Sequence, residues 1–166
     1  MMPRYAEIMG RTWPLRITLE SAVRIEEMCG EPLRKVCTQG MMGNLLLLYA
    51  ALAGERKSTT LPQAARLLSA AAKDKETLDA LLSALTLALR DSGLDRVDIS
   101  REQVERLTHA ALCAGCPGAE KLPDMGYTDA CALLRRFLKG KSAQSAPMRD
   151  EDMQAVLRGM AEGGKK

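Results

Sequence analysis

The stretch WPLRITLESAVRIEEMCG, Trp13 to Gly30, joins a strand signal, a helix start and a helix stop in one short unit. Leu15, Ile17 and Leu19 alternate with Arg16 and Thr18, the period-two pattern of a strand with one buried face, and Trp13 and Pro14 open it. At Thr18 the period changes. Threonine caps the orphan N–H groups of a helix start, Glu20 suits the positive end of the helix dipole, and Leu19, Ala22, Ile25 and Cys29 fall on one side. Gly30 stands where a helix closes through positive φ, which glycine adopts without a Cβ clash. The unit reads as a strand running directly into a helix of about three turns.

Helices dominate the rest of the chain. Pro32, in a first-turn position, precedes the short apolar edge Leu33, Val36 and Cys37, which predicts a brief helix or turn before Gly40. From Asn44 the run LLLLYAALA is apolar on every side, predicting the most deeply buried helix, with Gly54 as its stop. Thr60 and Gln63 form a capping box with Pro62 in the first turn, and the helix AARLLSAAA continues to a break at Lys73 and Asp74. Leu78, Leu81, Leu82, Leu85 and Leu89 then recur at helical spacing up to Gly93. After a few extended residues in DRVDIS, Ser100 and Gln103 make a second capping box for a helix through Val104, Leu107 and Ala111 to Gly115. CPGAEKLPDMGY reads as a loop, and Thr128 opens a helix with Ala132, Leu133, Phe137 and Leu138 up to Gly140. KSAQSAP reads as a linker, and Asp150 is placed to cap a last short helix with Met153, Val156, Leu157 and Met160 on one side.

The expected architecture is therefore mostly α: a compact helical domain with a short N-terminal β-strand or hairpin, plus a C-terminal helical extension. Residues 1–94 form the strand-helix core, residues 95–140 add helices on or beside it, and residues 141–166 are a linker and an amphipathic helix. A chain of 166 residues suits one domain. Apolar residues make up 46% but aromatics only 3%, so the core must be built of Leu, Ala, Val and Met. Met is also soft and adaptable, so Met153 and Met160 are the methionines assigned to docking, while most of the ten are expected to fill the core.

Composition also narrows function. With 24 basic against 21 acidic residues, a net charge of +3 does not call for nucleic acid. The longest apolar run, Leu45 to Ala53, falls well short of the roughly 20 residues of a membrane span, and MMPRYAEIMG lacks the apolar centre of a signal peptide. Five cysteines without framework spacing predict free thiols in a reducing cytoplasm. His109, Cys113, Cys116 and Cys131 include a CxxC half-site for zinc, but Cys131 stands alone as its partner, so unligated thiols are the reading adopted, with no metal and no cofactor. The chain contains one histidine, no GxSxG or HExxH and no glycine-rich phosphate loop, so no enzyme is expected. Arg135, Arg136, Lys139 and Lys141 cluster at a helix end, where cations also complement the dipole.

In element order and residue class, WPLRITLESAVRIEEMCGEPL, the apolar helix LLLLYAALAG and the capped helix TTLPQAARLLS resemble the tail assembly chaperones of long-tailed phages and gene transfer agents. The likeness covers about Trp13 to Gly93; the part after Asp95 has no counterpart in it. The resemblance implies a non-enzymatic helper in the cytoplasm of a bacterial host cell, holding the tail tube subunit and the tape-measure protein during assembly. It also implies a programmed frameshift, and Gly163-Gly164-Lys165-Lys166 is a sequence that a slippery run of G and A can encode. The partner-binding surfaces assigned on this basis are the strand edge at Leu15 and Ile17 and the terminal face of Met153, Val156, Leu157 and Met160. Self-association stays open. The alternative is a helical adaptor or regulatory protein, binding DNA through the Arg135 cluster.

Overall fold

The computed structural model describes residues 2–142. The protein is mostly helical and opens with a two-stranded antiparallel hairpin, β1 (Arg4–Ile8) and β2 (Arg11–Leu15). Seven α-helices come after it among the described residues: α1 (Leu19–Cys29), α2 (Leu33–Val36), α3 (Gly40–Ala53), α4 (Leu61–Ala71), α5 (Lys75–Ser92), α6 (Arg101–Cys113) and α7 (Tyr127–Ser142). A 3₁₀ turn, Ala119–Asp124, occupies the segment predicted as loop. Among the described residues no helix is long and apolar enough to cross a membrane.

The local signals at helix ends correspond to real contacts. The Thr18 side chain accepts from the Ser21 N–H at 3.1 Å, and Ser21 Oγ accepts from the Thr18 N–H at 3.0 Å, a reciprocal cap on α1. Thr60 with Gln63 and Ser100 with Gln103 repeat the device on α4 and α6. Gly30 and Gly93 close α1 and α5 with φ of 70° and 76°.

The strand does not lie where the alternation put it. β2 ends at Leu15, pairs with β1 in the register Arg4 to Leu15 and Ile8 to Arg11, and leaves Arg16 to Thr18 as an extended link. That link meets a helix instead of a second strand. The Arg16 N–H donates to the Ala51 carbonyl at 3.0 Å, and the Arg16 guanidinium donates to the Gly54 carbonyl at 3.1 Å and pairs with Glu55 at 2.7 Å. The approach is so close that a Cβ on Gly54 would stand 1.9 Å from the Arg16 carbonyl oxygen. Just beyond, the Leu19 N–H reaches the Met125 carbonyl at 2.8 Å, joining the start of α1 to the turn that precedes α7.

α3 is the centre of the packing, touching α1, α2, α4, α5 and β2, and its Leu48, Ala50 and Ala51 have no exposed surface. The hairpin's inner face contributes Ala6, Ile8 and Leu15, with β1 laid on α5 and Arg4 paired to Asp91 at 2.6 Å. One buried apolar cluster extends from Ala6 to Leu134 and crosses residue 94 without a break, taking in Val104, Ala111, Cys116, Ala119, Leu122 and Ala130. Ion pairs edge this seam: Arg101 on α6 bridges Glu20 and Glu27 on α1 at 2.6 and 2.9 Å, and Arg34 on α2 pairs with Asp98.

Two consequences can be measured. Gly54→Ala forces Arg16 and the link off α3, and we expect it to destabilise the fold by about 2–3 kcal/mol, read as a lower denaturant midpoint. Glu26 behaves oppositely. Its Oε2 is buried without a hydrogen-bond partner among the described residues; desolvation first, then Asp98 and Glu27, push its carboxyl above the usual glutamate range. A carboxyl raised on folding penalises its own ionised form, so the cost is present at neutral pH and vanishes as pH falls below that range. Glu26→Gln should therefore raise the denaturation midpoint at pH 7, and the gain over wild type should close on acidification.

Candidate partner-binding surfaces

The hairpin turn places the first exposed apolar group. Ile8 faces Arg11 across a two-residue turn of Met9 and Gly10, both left-handed at φ 55° and 66°, the conformation that a tight hairpin requires. Gly10 accepts it freely. Met9 does so at a steric cost, and its side chain is 77% exposed.

Met9 is not an isolated case. Of the eight large hydrophobic side chains that are exposed among the described residues, five are methionines: Met2, Met9, Met28, Met41 and Met42, accompanied by Tyr5, Leu87 and Leu112. Met125 is half-buried and packs against the core, and it is the one described methionine that does, which corrects the expectation that most would fill it. Leucine and alanine, with better-defined rotamers, take those positions instead. Met28 near the end of α1 and Met41 and Met42 in the first turn of α3 flank the α2 connection in the chain.

The surface assigned to Leu15 and Ile17 does not exist as such. Both side chains are fully buried, Ile17 lies beyond the strand, and the neighbouring Arg16 N–H is engaged by Ala51. Pro14 has no N–H to offer an incoming strand, so the β2 edge is blunted. Leu15 and Ile17 are core residues. Met153, Val156, Leu157 and Met160 lie outside the described residues.

Beside β2 the chain leaves a concave surface that sequence periodicity does not reveal. Trp13 and Pro14, Leu52 at the end of α3, and Leu67 on α4 line a cleft of about 300 Å³ whose rim carries Arg56, Ser58 and Arg66. The connection forming its wall is held by its own hydrogen bonds: the Arg56 N–H to the Leu52 carbonyl at 2.8 Å and the Thr59 N–H to the Arg56 carbonyl at 2.9 Å. Trp13 is only half-buried, and its Nε1–H donates to the Ile8 carbonyl at 3.4 Å. The clue in the sequence was a lone tryptophan beside a proline, a weak one because either residue can simply open a strand.

The cysteines are dispersed. His109 Nε2 and Cys113 Sγ stand 3.6 Å apart on the exposed side of α6, whereas Cys116 is buried beside the Pro117 carbonyl. Burial pushes the Cys116 thiol up, with Glu120 adding to the shift, and burial pushes the Cys37 thiol up to about 11. Among the described residues no group of three His, Cys, Asp or Glu side chains is placed to hold a metal ion. In the basic cluster on α7, Lys141 donates to the Ala114 carbonyl at 2.7 Å and covers the Phe137 ring at 4.8 Å, and Arg136 lines a shallow groove with Arg16, Asp124 and Asp129.

No family model, curated protein or solved structure matches this chain.

Proposed function

We propose that this chain is a non-enzymatic assembly chaperone for the tail of a long-tailed phage or gene transfer agent, holding the tail tube subunit, the tape-measure protein or both in the bacterial cytoplasm until assembly. The observation that carries the reading is the surface methionine set on a well-packed helical body. Exposed Met9, Met28, Met41 and Met42 are flexible, polarisable anchors that adapt to more than one partner shape. A holding protein needs that tolerance, because its clients present aggregation-prone surface and must later leave. The resemblance of Trp13 to Gly93 to tail assembly chaperones, in element order and residue class, gives the reading its specific clients.

Co-expression with a tail tube subunit and a tape-measure protein from the same genome tests it. The wild-type chain is expected to keep at least one of them in the soluble fraction and to co-purify with it, and Met41→Lys with Met42→Lys to abolish this at an unchanged denaturation midpoint. Clients that aggregate equally with and without the chain would overturn the reading. DNA binding with a steep salt dependence, lost in Arg135→Ala with Arg136→Ala, would transfer it to the helical adaptor.

The strained turn supplies a further test. Met9→Asn suits the left-handed position and should stabilise the protein by about 0.5–1 kcal/mol in denaturant titrations, while weakening client retention. A stabilised variant with full retention would remove Met9 from the docking set.

A further inference from the structure

The cleft beside β2 has an uncompensated charge on an apolar base. Its one acidic residue, Glu55, is already paired with Arg16 at 2.7 Å, so it does not neutralise the rim. Arg56 and Arg66 are exposed, and neither guanidinium has a hydrogen-bond or ion-pair partner among the described residues. The same cleft is lined by the buried Leu52 and Leu67 and the half-buried Trp13 and Pro14. Two forked cations in one cleft with a ring and aliphatic side chains complement a carboxylate adjoining a bulky apolar group.

We propose that this cleft docks a short acidic, apolar segment of a partner protein, its carboxylate received by Arg56 and Arg66 and its apolar side chain seated against Trp13. About 300 Å³ lies at the low end of small-molecule pockets and accepts a side chain or two of a longer chain. A polynucleotide fits less well, since it could answer the two cations and the ring but carries no branched aliphatic side chain to seat against Leu52 and Leu67. The wall is fixed in advance by the Arg56 to Leu52 and Thr59 to Arg56 hydrogen bonds, so binding does not have to order it. The proposal goes beyond the tail-assembly reading and holds for any protein partner carrying such a segment.

Trp13 is the only tryptophan in the chain, so its emission reports on the cleft without a label. The full-length protein is titrated with an eight-residue peptide alternating Asp and Leu, with its Asn/Leu and Lys/Leu counterparts, with an oligothymidylate and with sodium acetate, and calorimetry runs in parallel to detect binding that leaves emission unchanged. The expected result is saturable binding of the Asp/Leu peptide alone. Arg56→Glu with Arg66→Glu should weaken it at least about tenfold at an unchanged denaturation midpoint, and the same variant should gain affinity for the Lys/Leu peptide. Equal binding of the Asn/Leu peptide, saturation by acetate or the oligonucleotide, no binding by either method, or an unaltered response in the double variant would each overturn the proposal.

Discussion

The fold depends on how the link between the hairpin and α1 lies against the last turn of α3. A helix ends with carbonyls that have no intrahelical partner, and a buried end must find donors for them. Here the chain supplies its own: the Arg16 N–H serves Ala51 and the Arg16 side chain serves Gly54. Lacking a side chain, Gly54 lets the two backbones meet at a distance that no other residue permits. The link also sets the direction of the segments on either side, delivering Leu15 and Ile17 into the core before Thr18 caps α1.

That junction explains which features were legible in the sequence. Most helix ends were, because a capping box or a left-handed glycine is a contact within four residues; Thr18, Gly30, Thr60, Gly93 and Ser100 stand at the boundaries where the residues placed them, whereas Gly140, expected to end α7, lies inside it, and α3 begins at Gly40 instead of Asn44. The burial of LLLLYAALA was legible for a related reason, since a helix apolar on every side has no face to give to water. Strand position was not. Alternation from Leu15 to Leu19 records which side chains point inward, but cannot say whether the backbone pairs with a strand or with a helix end. A hairpin was expected only as an alternative to a lone strand, and the residues of β1 were not placed, because Met9-Gly10 is a poor substitute for the Asn-Gly that announces a tight turn and Ala6 and Ile8 are too short a pattern by themselves.

The methionines mark a second limit of pattern reading. Hydrophobicity alone puts Met in the core, and Met28 follows the apolar run of α1 closely enough to invite that assignment. The leucines and alanines of α3, α4 and α5 already close the interior, so Met41 and Met42 at the start of α3 remain outside it. A rigid interior beneath adaptable side chains separates two tasks that one residue type cannot perform together. Leucine specifies a single packing, and methionine accommodates several.

The interaction that holds the link also sets the electrostatics of the neighbouring cleft. Glu55 is the one carboxylate that lines the cleft with Arg56 and Arg66, and free of Arg16 it would offset part of their charge. With Arg16 engaged by both Glu55 and the Gly54 carbonyl, the acid is committed to the link and the two exposed guanidiniums are left uncompensated. Trp13 belongs to the same arrangement: it precedes the link by three residues, and in the register that buries Leu15 it stays half-buried and lines the cleft with Leu52 and Leu67. Moving the link would therefore disturb the core, the charge of the cleft and the position of the tryptophan together. Stability and recognition at this end of the molecule share one set of contacts, centred on a guanidinium that caps α3 and takes the cleft's only acid out of play.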